Sequence, residues 1–225
     1  VGHPSSQALS ATNGTFSGNT TVAGTSTFTG DVTVGDGSAA DKKILFDGNA
    51  QDYHIGLDDS ADSLIIGKGS ALGTTTSMAF DANGIITKPL QPAFLITNNS
   101  AQDNPSNEDT VVFGAEVFDQ NNDVSSNTFT APVTGRYFLN AGLRIDNMSS
   151  GNNHHSPLIL TSNREFRCIL ELSSNITYHH FHVSALADMD AGDTAVVKFK
   201  QSGSSGGADI PADATRTHFS GYLVA

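Results

Sequence analysis

Arg136-Tyr137-Phe138-Leu139-Asn140-Ala141-Gly142-Leu143-Arg144-Ile145 is the stretch on which the reading of the fold turns. Tyr137, Leu139, Ala141, Leu143 and Ile145 fall at every second position, with Arg136, Asn140 and Arg144 between them. A strand sends successive side chains to opposite faces, so this alternation describes a strand with one face in a core and the other turned outward. The same period recurs along the chain. Ala195, Val197 and Phe199 stand against Lys198 and Lys200, and Thr217, Phe219, Gly221 and Leu223 against Arg216, His218, Ser220 and Tyr222. Phe166, Cys168, Leu170 and Leu172 oppose Glu165, Arg167 and Glu171, which predicts another strand over 164–172 with Cys168 as a buried packing thiol. Gly, Asn, Asp and Ser punctuate these runs, and no helical period competes over a useful length. The expected class is all-β, with a two-sheet sandwich from Pro92 to Ala225.

Upstream, the pattern changes twice. Residues 42–91 hold short apolar stretches, Lys43-Ile44-Leu45-Phe46-Asp47, Tyr53-His54-Ile55-Gly56-Leu57, Ser63-Leu64-Ile65-Ile66-Gly67 and Met78-Ala79-Phe80, separated by Asp-Gly, Asp-Asp and Asn-Gly turns. They read as β-hairpins forming a collar or connector. Lys88-Pro89-Leu90-Gln91-Pro92 closes that segment, because each proline holds its predecessor in extended geometry. Residues 1–41 contain a hexad: Phe16, Val22, Phe28 and Val34 each open a unit, with Gly two positions later in the first three units and Thr at their close. One large apolar side chain per six residues cannot offset an ordering cost of about 1–2 kcal/mol per residue within a single chain. The expectation is therefore a thin, trimeric β-stalk with these four side chains turned to a shared axis. The alternative is a Gly/Ser/Thr linker.

Composition narrows the function. The chain of 225 residues carries 11 Lys+Arg against 23 Asp+Glu, a net charge of −12, and charged residues are only 15% of it. No basic stripe is present for phosphate contacts, so nucleic acid is not an expected partner. No apolar run approaches the roughly 18–20 residues of a helical membrane span, and membrane insertion is not expected. Cys168 is the single cysteine, which excludes a framework of internal disulfides. Val1-Gly2-His3-Pro4 shows neither an initiator Met nor a signal pattern, so a fragment or processed product is expected.

Phe129-Thr130-Ala131-Pro132-Val133-Thr134-Gly135-Arg136-Tyr137-Phe138, with Phe113 and Phe118-Asp119 before it, Ala191-Gly192-Asp193 after it and His218-Phe219-Ser220-Gly221-Tyr222-Leu223 at the close, resembles the globular head of complement subcomponent q and the wider tumour-necrosis-factor-like jelly rolls. The resemblance covers about residues 92–225. It implies a jelly roll that trimerises around a threefold axis at the end of a stalk. Leu139 and Ala141 stand where that family commonly has aromatics. Residues 43–60 and 89–94 are similar to tail-fibre proteins of aquatic bacteriophages, and no collagen-like Gly-X-Y run precedes the head. Together these resemblances imply a non-enzymatic, homotrimeric tail-fibre protein, extracellular on a virion. Its partners would be its own copies, other tail or virion proteins on the N-terminal side, and a host-surface glycan or protein. The alternatives are a structural collar component whose head only registers the trimer, and a secreted complement-like lectin.

Loops at one end of such a sandwich are the expected contact surface. The candidates are Asn147, Met148, Asn152, Asn153, His154 and His155, then Asn104, and then Ser204 and Ser205. No catalytic residue is expected: Gly203-Ser204-Ser205-Gly206-Gly207 matches a nucleophile elbow in letters, but no helix follows it. Asp119-Gln120-Asn121-Asn122-Asp123 resembles the opening of a calcium loop, but Val124 replaces the needed Gly, and it reads better as an Asx-rich turn. No cofactor is expected beyond one case. Tyr178, His180, His182 and Ser184 share one strand face, and three copies of His180 and His182 on an axis would suit a divalent transition metal. The competing reading is an outward polar face.

Overall fold

The computed structural model describes residues 17–105, 107–203 and 206–225. The chain divides into two units, one ending at Ser38 and the other spanning Ala39–Ala225. Between residues 17 and 41 there is no strand, and Val22, Phe28 and Val34 are 56%, 71% and 49% exposed. A lone chain gives these side chains nothing to pack on and offers its backbone no ladder. Phe16 lies outside the described residues.

In the second unit, β1 (Lys42–Phe46), β2 (Tyr53–Asp58), β3 (Ser63–Lys68), β4 (Thr76–Phe80) and β5 (Ile86–Thr87) form an antiparallel meander in sequence order. Each predicted apolar stretch is one strand of it. The head follows with β6 (Ala93–Thr97), β7 (Asp109–Thr110), β8 (Ala115–Asp119), β9 (Val124–Ser125), β10 (Thr128–Thr130), β11 (Gly135–Met148), β12 (His154–Thr161), β13 (Glu165–Arg167), β14 (Ile176–Met189), β15 (Thr194–Ser202) and β16 (His218–Leu223). One head sheet runs β14-β11-β16-β6-β8, the other β13-β12-β15-β10-β9 with β7 beside β15. From β6 onward the chain crosses from sheet to sheet at every step except β9 to β10 and β12 to β13. This repeated crossing over one core is jelly-roll connectivity. No helix occurs among the described residues.

The alternation read from the sequence fixes which side chains fill the core. Tyr137, Leu139, Ala141, Leu143 and Ile145 are fully buried, as are Ala195, Val197, Phe199 and Phe219. Phe94 stacks on Phe129 at 4.7 Å and meets Phe219 edge-on at 5.0 Å. Each such burial contributes roughly 1.5–3 kcal/mol, and aromatic pairing adds to it. Gly221 permits this packing, since a Cβ there would lie 2.8 Å from both Leu139 Cδ2 and Phe94 Cε1.

One predicted strand is shorter than expected. β13 stops at Arg167, and beyond it 168–172 meets β12 through the His155–Leu170 bridge and one further hydrogen bond. Pro157 explains the break. Its carbonyl accepts from the Cys168 amide at 3.1 Å, but its ring nitrogen has no hydrogen to give back on that side of β12. Cys168 is consequently half-buried against the core, not fully enclosed.

Between collar and head, Gln120 at the β8–β9 turn gathers the connecting chain. Its side-chain amide donates toward the carbonyls of Lys88 (3.0 Å), Pro89 (3.0 Å) and Gln91 (2.7 Å). The Asp119 carboxylate accepts from the amides of Asp123 (3.0 Å) and Val124 (2.7 Å), so the acidic stretch forms a closed Asx turn.

Candidate functional site

Strand pairing sorts the loops to two ends. Thr97 pairs with His218, Met148 with Ile176 and His154 with Ser202. The segments following Thr97, Met148 and Ser202, and the one leading into Ile176, therefore emerge together. Ala93, Gly135, Met189 and Leu223 lie at the opposite end, where the chain arrives from the collar. The three candidate loops thus share the end remote from Pro92.

Asp209 ties them to one another. Its carboxylate accepts from the Asn104 amide and from the Asn147 side chain, both at 2.9 Å, and its backbone exchanges two bonds with Asp146. Asn104 in turn accepts from the Gly207 amide at 2.9 Å, while Gln201 donates to the Pro105 carbonyl at 2.6 Å. Asn104 and Asn147 sit at φ 44° and 57°, a left-handed conformation that Asn tolerates.

This bracing corrects part of the sequence reading. Asn147, Asn153 and Asn104 are exposed and His154 is half-buried, but Met148, Asn152 and His155 are buried. β11 runs on through Met148 and β12 begins at His154, so Met148 and His155 are inward strand positions and not loop-tip contacts. His155 stacks on Phe199 at 6.3 Å, and burial holds its imidazole below the ordinary pKa. Ser204 and Ser205 lie outside the described residues.

The same end carries a cavity of about 520 Å³ lined by Arg144, Tyr178, His179, His180 and Arg216. Three separate segments supply these side chains: β11, β14 and the turn before β16. The Arg144 guanidinium donates to both Asp146 oxygens at 2.9 and 2.8 Å and to Asp213 at 3.1 Å. Arg216 also reaches Asp213, at 2.6 Å. The Thr215 hydroxyl, then Arg216 and Arg144, hold the Asp213 carboxyl far below the usual carboxylate range. Two arginines facing two aspartates cancel in charge but keep their donors and acceptors fixed. Tyr178 stands beside them, 68% exposed, with Arg144 5.6 Å from its ring centre. Alternation had placed Arg144, Tyr178 and His180 on outward faces. Their meeting depended on β11 and β14 being neighbours, which alternation does not encode.

His180 and His182 lie side by side on the outward face of β14, ring centres 4.4 Å apart, and His218 of β16 is 6.2 Å from His182. Gly142 lies between, where a Cβ would come within 2.5 Å of the His218 ring. His180 Nε2 is engaged with the Arg216 carbonyl at 2.8 Å. Among the described residues of one chain, no three His, Cys, Asp or Glu side chains are grouped to hold a metal.

No protein-family model and no curated protein matches the chain. Among solved structures it is similar to the globular domain of zebrafish complement 1qA, at 16% identity over 60% of this chain and 98% of that one, with a TM-score of 0.45. It is also similar to murine APRIL, at 12% identity over 60% and 99%, with a TM-score of 0.46. The corresponding figures for Eiger TNF from S. frugiperda are 10% identity, 60% and 93%, and a TM-score of 0.47.

Proposed function

We propose that this chain is the receptor-attachment part of a homotrimeric, non-enzymatic fibre of the virion tail-fibre type, and that its head binds an uncharged host-surface glycan. The observation that carries this reading is the convergence of the braced loops and the Arg144–Tyr178–Arg216 cavity on the end remote from the collar. An exposed aromatic ring offers a stacking surface for a sugar, and the fixed Arg–Asp pairs offer planar donors and acceptors for hydroxyls. Because the pairs cancel and the chain is at −12, an anionic ligand gains nothing from bulk attraction. Copies would meet on the collar-side half of the β14-β11-β16-β6-β8 sheet, where Leu186 and Tyr222 stand exposed. Three weak sites on one particle would then act with avidity.

Competition tests the reading: the full chain, in excess, blocks adsorption of whole particles to host cells, and Tyr178→Ala weakens that block at least tenfold with thermal stability unchanged. Failure to compete at saturating protein returns the chain to a structural collar role. On a glycan array, neutral sugars bind and removing sialic acid or sulfate does not reduce binding. If His180 and His182 of three copies hold a divalent ion, the purified trimer contains stoichiometric Zn, Ni, Cu or Fe; an empty elemental analysis removes that part.

A further inference from the structure

The meander of residues 42–87 has two unlike faces. On one, His54 and Ile65 are buried, and Gly56 and Gly67 leave room for neighbours: a Cβ on Gly56 would lie 2.5 Å from Leu72 Cδ1, and one on Gly67 2.5 Å from the His54 ring. The chain between β3 and β4 covers this side itself. On the other face, cross-strand pairing lines up Ile44, Ile55, Ile66 and Met78 in one row. Leu57, Leu64, Phe80 and Ile86 form a second row, and Phe46 pairs with Tyr53 beside them. Eight of these side chains, Phe46 through Ile66 in order of exposure, are between 55% and 36% exposed.

We infer that this bare apolar face is where copies of the chain pack against one another, so that the collar, and not the head alone, holds the oligomer together. The inference rests on the homotrimeric reading and names an interface for it. Among the described residues of 39–91, Ile65 is the one buried apolar side chain. One such side chain cannot offset the ordering of the sheet, so the second face must be covered in the working protein. At roughly half exposure, eight large side chains leave on the order of 600 Å² bare, at the upper end of what monomers carry. That approaches the roughly 800 Å² per partner of a standard interface.

Two observations select a second copy as the occupant. The rows contain no carboxylate, and their charged ends are Lys42, paired with Leu57, and Lys68, paired with Tyr53. In a chain with 23 acidic residues, this is a face on which copies meet without like-charge contact between carboxylates. Val34, the last hexad position, precedes Lys42 by 42 − 34 = 8 residues, a reach of at most about 29 Å. Copies joined through the hexads would therefore hold these faces at high effective concentration.

Cysteine cross-linking of the full chain, in a Cys168→Ser background, tests this beside a solution-mass measurement. Ile55→Cys and Ile66→Cys, introduced one at a time because the two positions face each other across neighbouring strands of one chain, each give covalent dimers on mild oxidation, whereas Leu45→Cys on the opposite face does not. A trimeric mass with no cross-linking above the Leu45→Cys level overturns the collar interface and leaves the trimer standing. A monomeric mass at micromolar concentration overturns both.

Discussion

Single residues set the pH response of the head. Burial, and then the charges of their neighbours, hold His182 and His218 below the ordinary histidine pKa, and burial does the same to His155. The outward pair faces His180, Arg144, Asn140, Ser184 and Thr97 across the adjoining strands. A lowered folded value means that the unfolded chain takes up protons first. Stability contributed by these groups is full above about pH 6.5 and is lost as pH falls through that value toward the lower folded values. The melting temperature of the head is expected to fall between pH 7.5 and 5.5, and His218→Asn to flatten that slope. A slope unchanged by the substitution would remove His218 from the account. His180 and His182 were legible as neighbours because they are two apart in a strand. His218 was not, since only the β11–β16 register brings it over Gly142.

At the scale of elements, the sequence revealed faces more readily than partners. Tyr137 to Ile145 and Ala195 to Phe199 are buried where alternation put them, because that period is local. Asn147, Met148, Asn152, Asn153, His154 and His155 were read together as loop residues, and this hid the continuation of β11 to Met148 and the early start of β12. Pro157 shows the converse: a residue inside β12 truncates β13, an effect invisible without knowing that the two pair. The braced loops give a test at this scale. Asp209→Ala removes the acceptor for both Asn104 and Asn147, at a cost of about 1–3 kcal/mol. Hydrogen exchange at Asp103 and Asn104 and around Asn147 is expected to rise while β11 and β14 stay protected. If protection at the loops persists, Asp209 is not what joins them.

In the molecule as a whole, the hairpin segment was legible as strands, but its union with the head was not, because amide side chains make it: Gln120 and Asn121 bond the connector carbonyls, and Gln91 donates to the Leu223 carbonyl. Gln120→Ala releases the carbonyls of Lys88, Pro89 and Gln91. Amide exchange at Leu90 and Gln91 should quicken with the head's melting temperature little changed, and unchanged exchange would show that the prolines and the other amide side chains fix the connector. The same connection has a mechanical consequence. A load applied between Pro92 and the loops at the far end would run directly along β6. β6 is bonded on both sides, to β16 over its whole length and to β8. Ladder hydrogen bonds lie across the strand, so a pull along it strains many at once in shear instead of opening them one by one. A pull along β6 would thus meet the head in its most force-resistant direction.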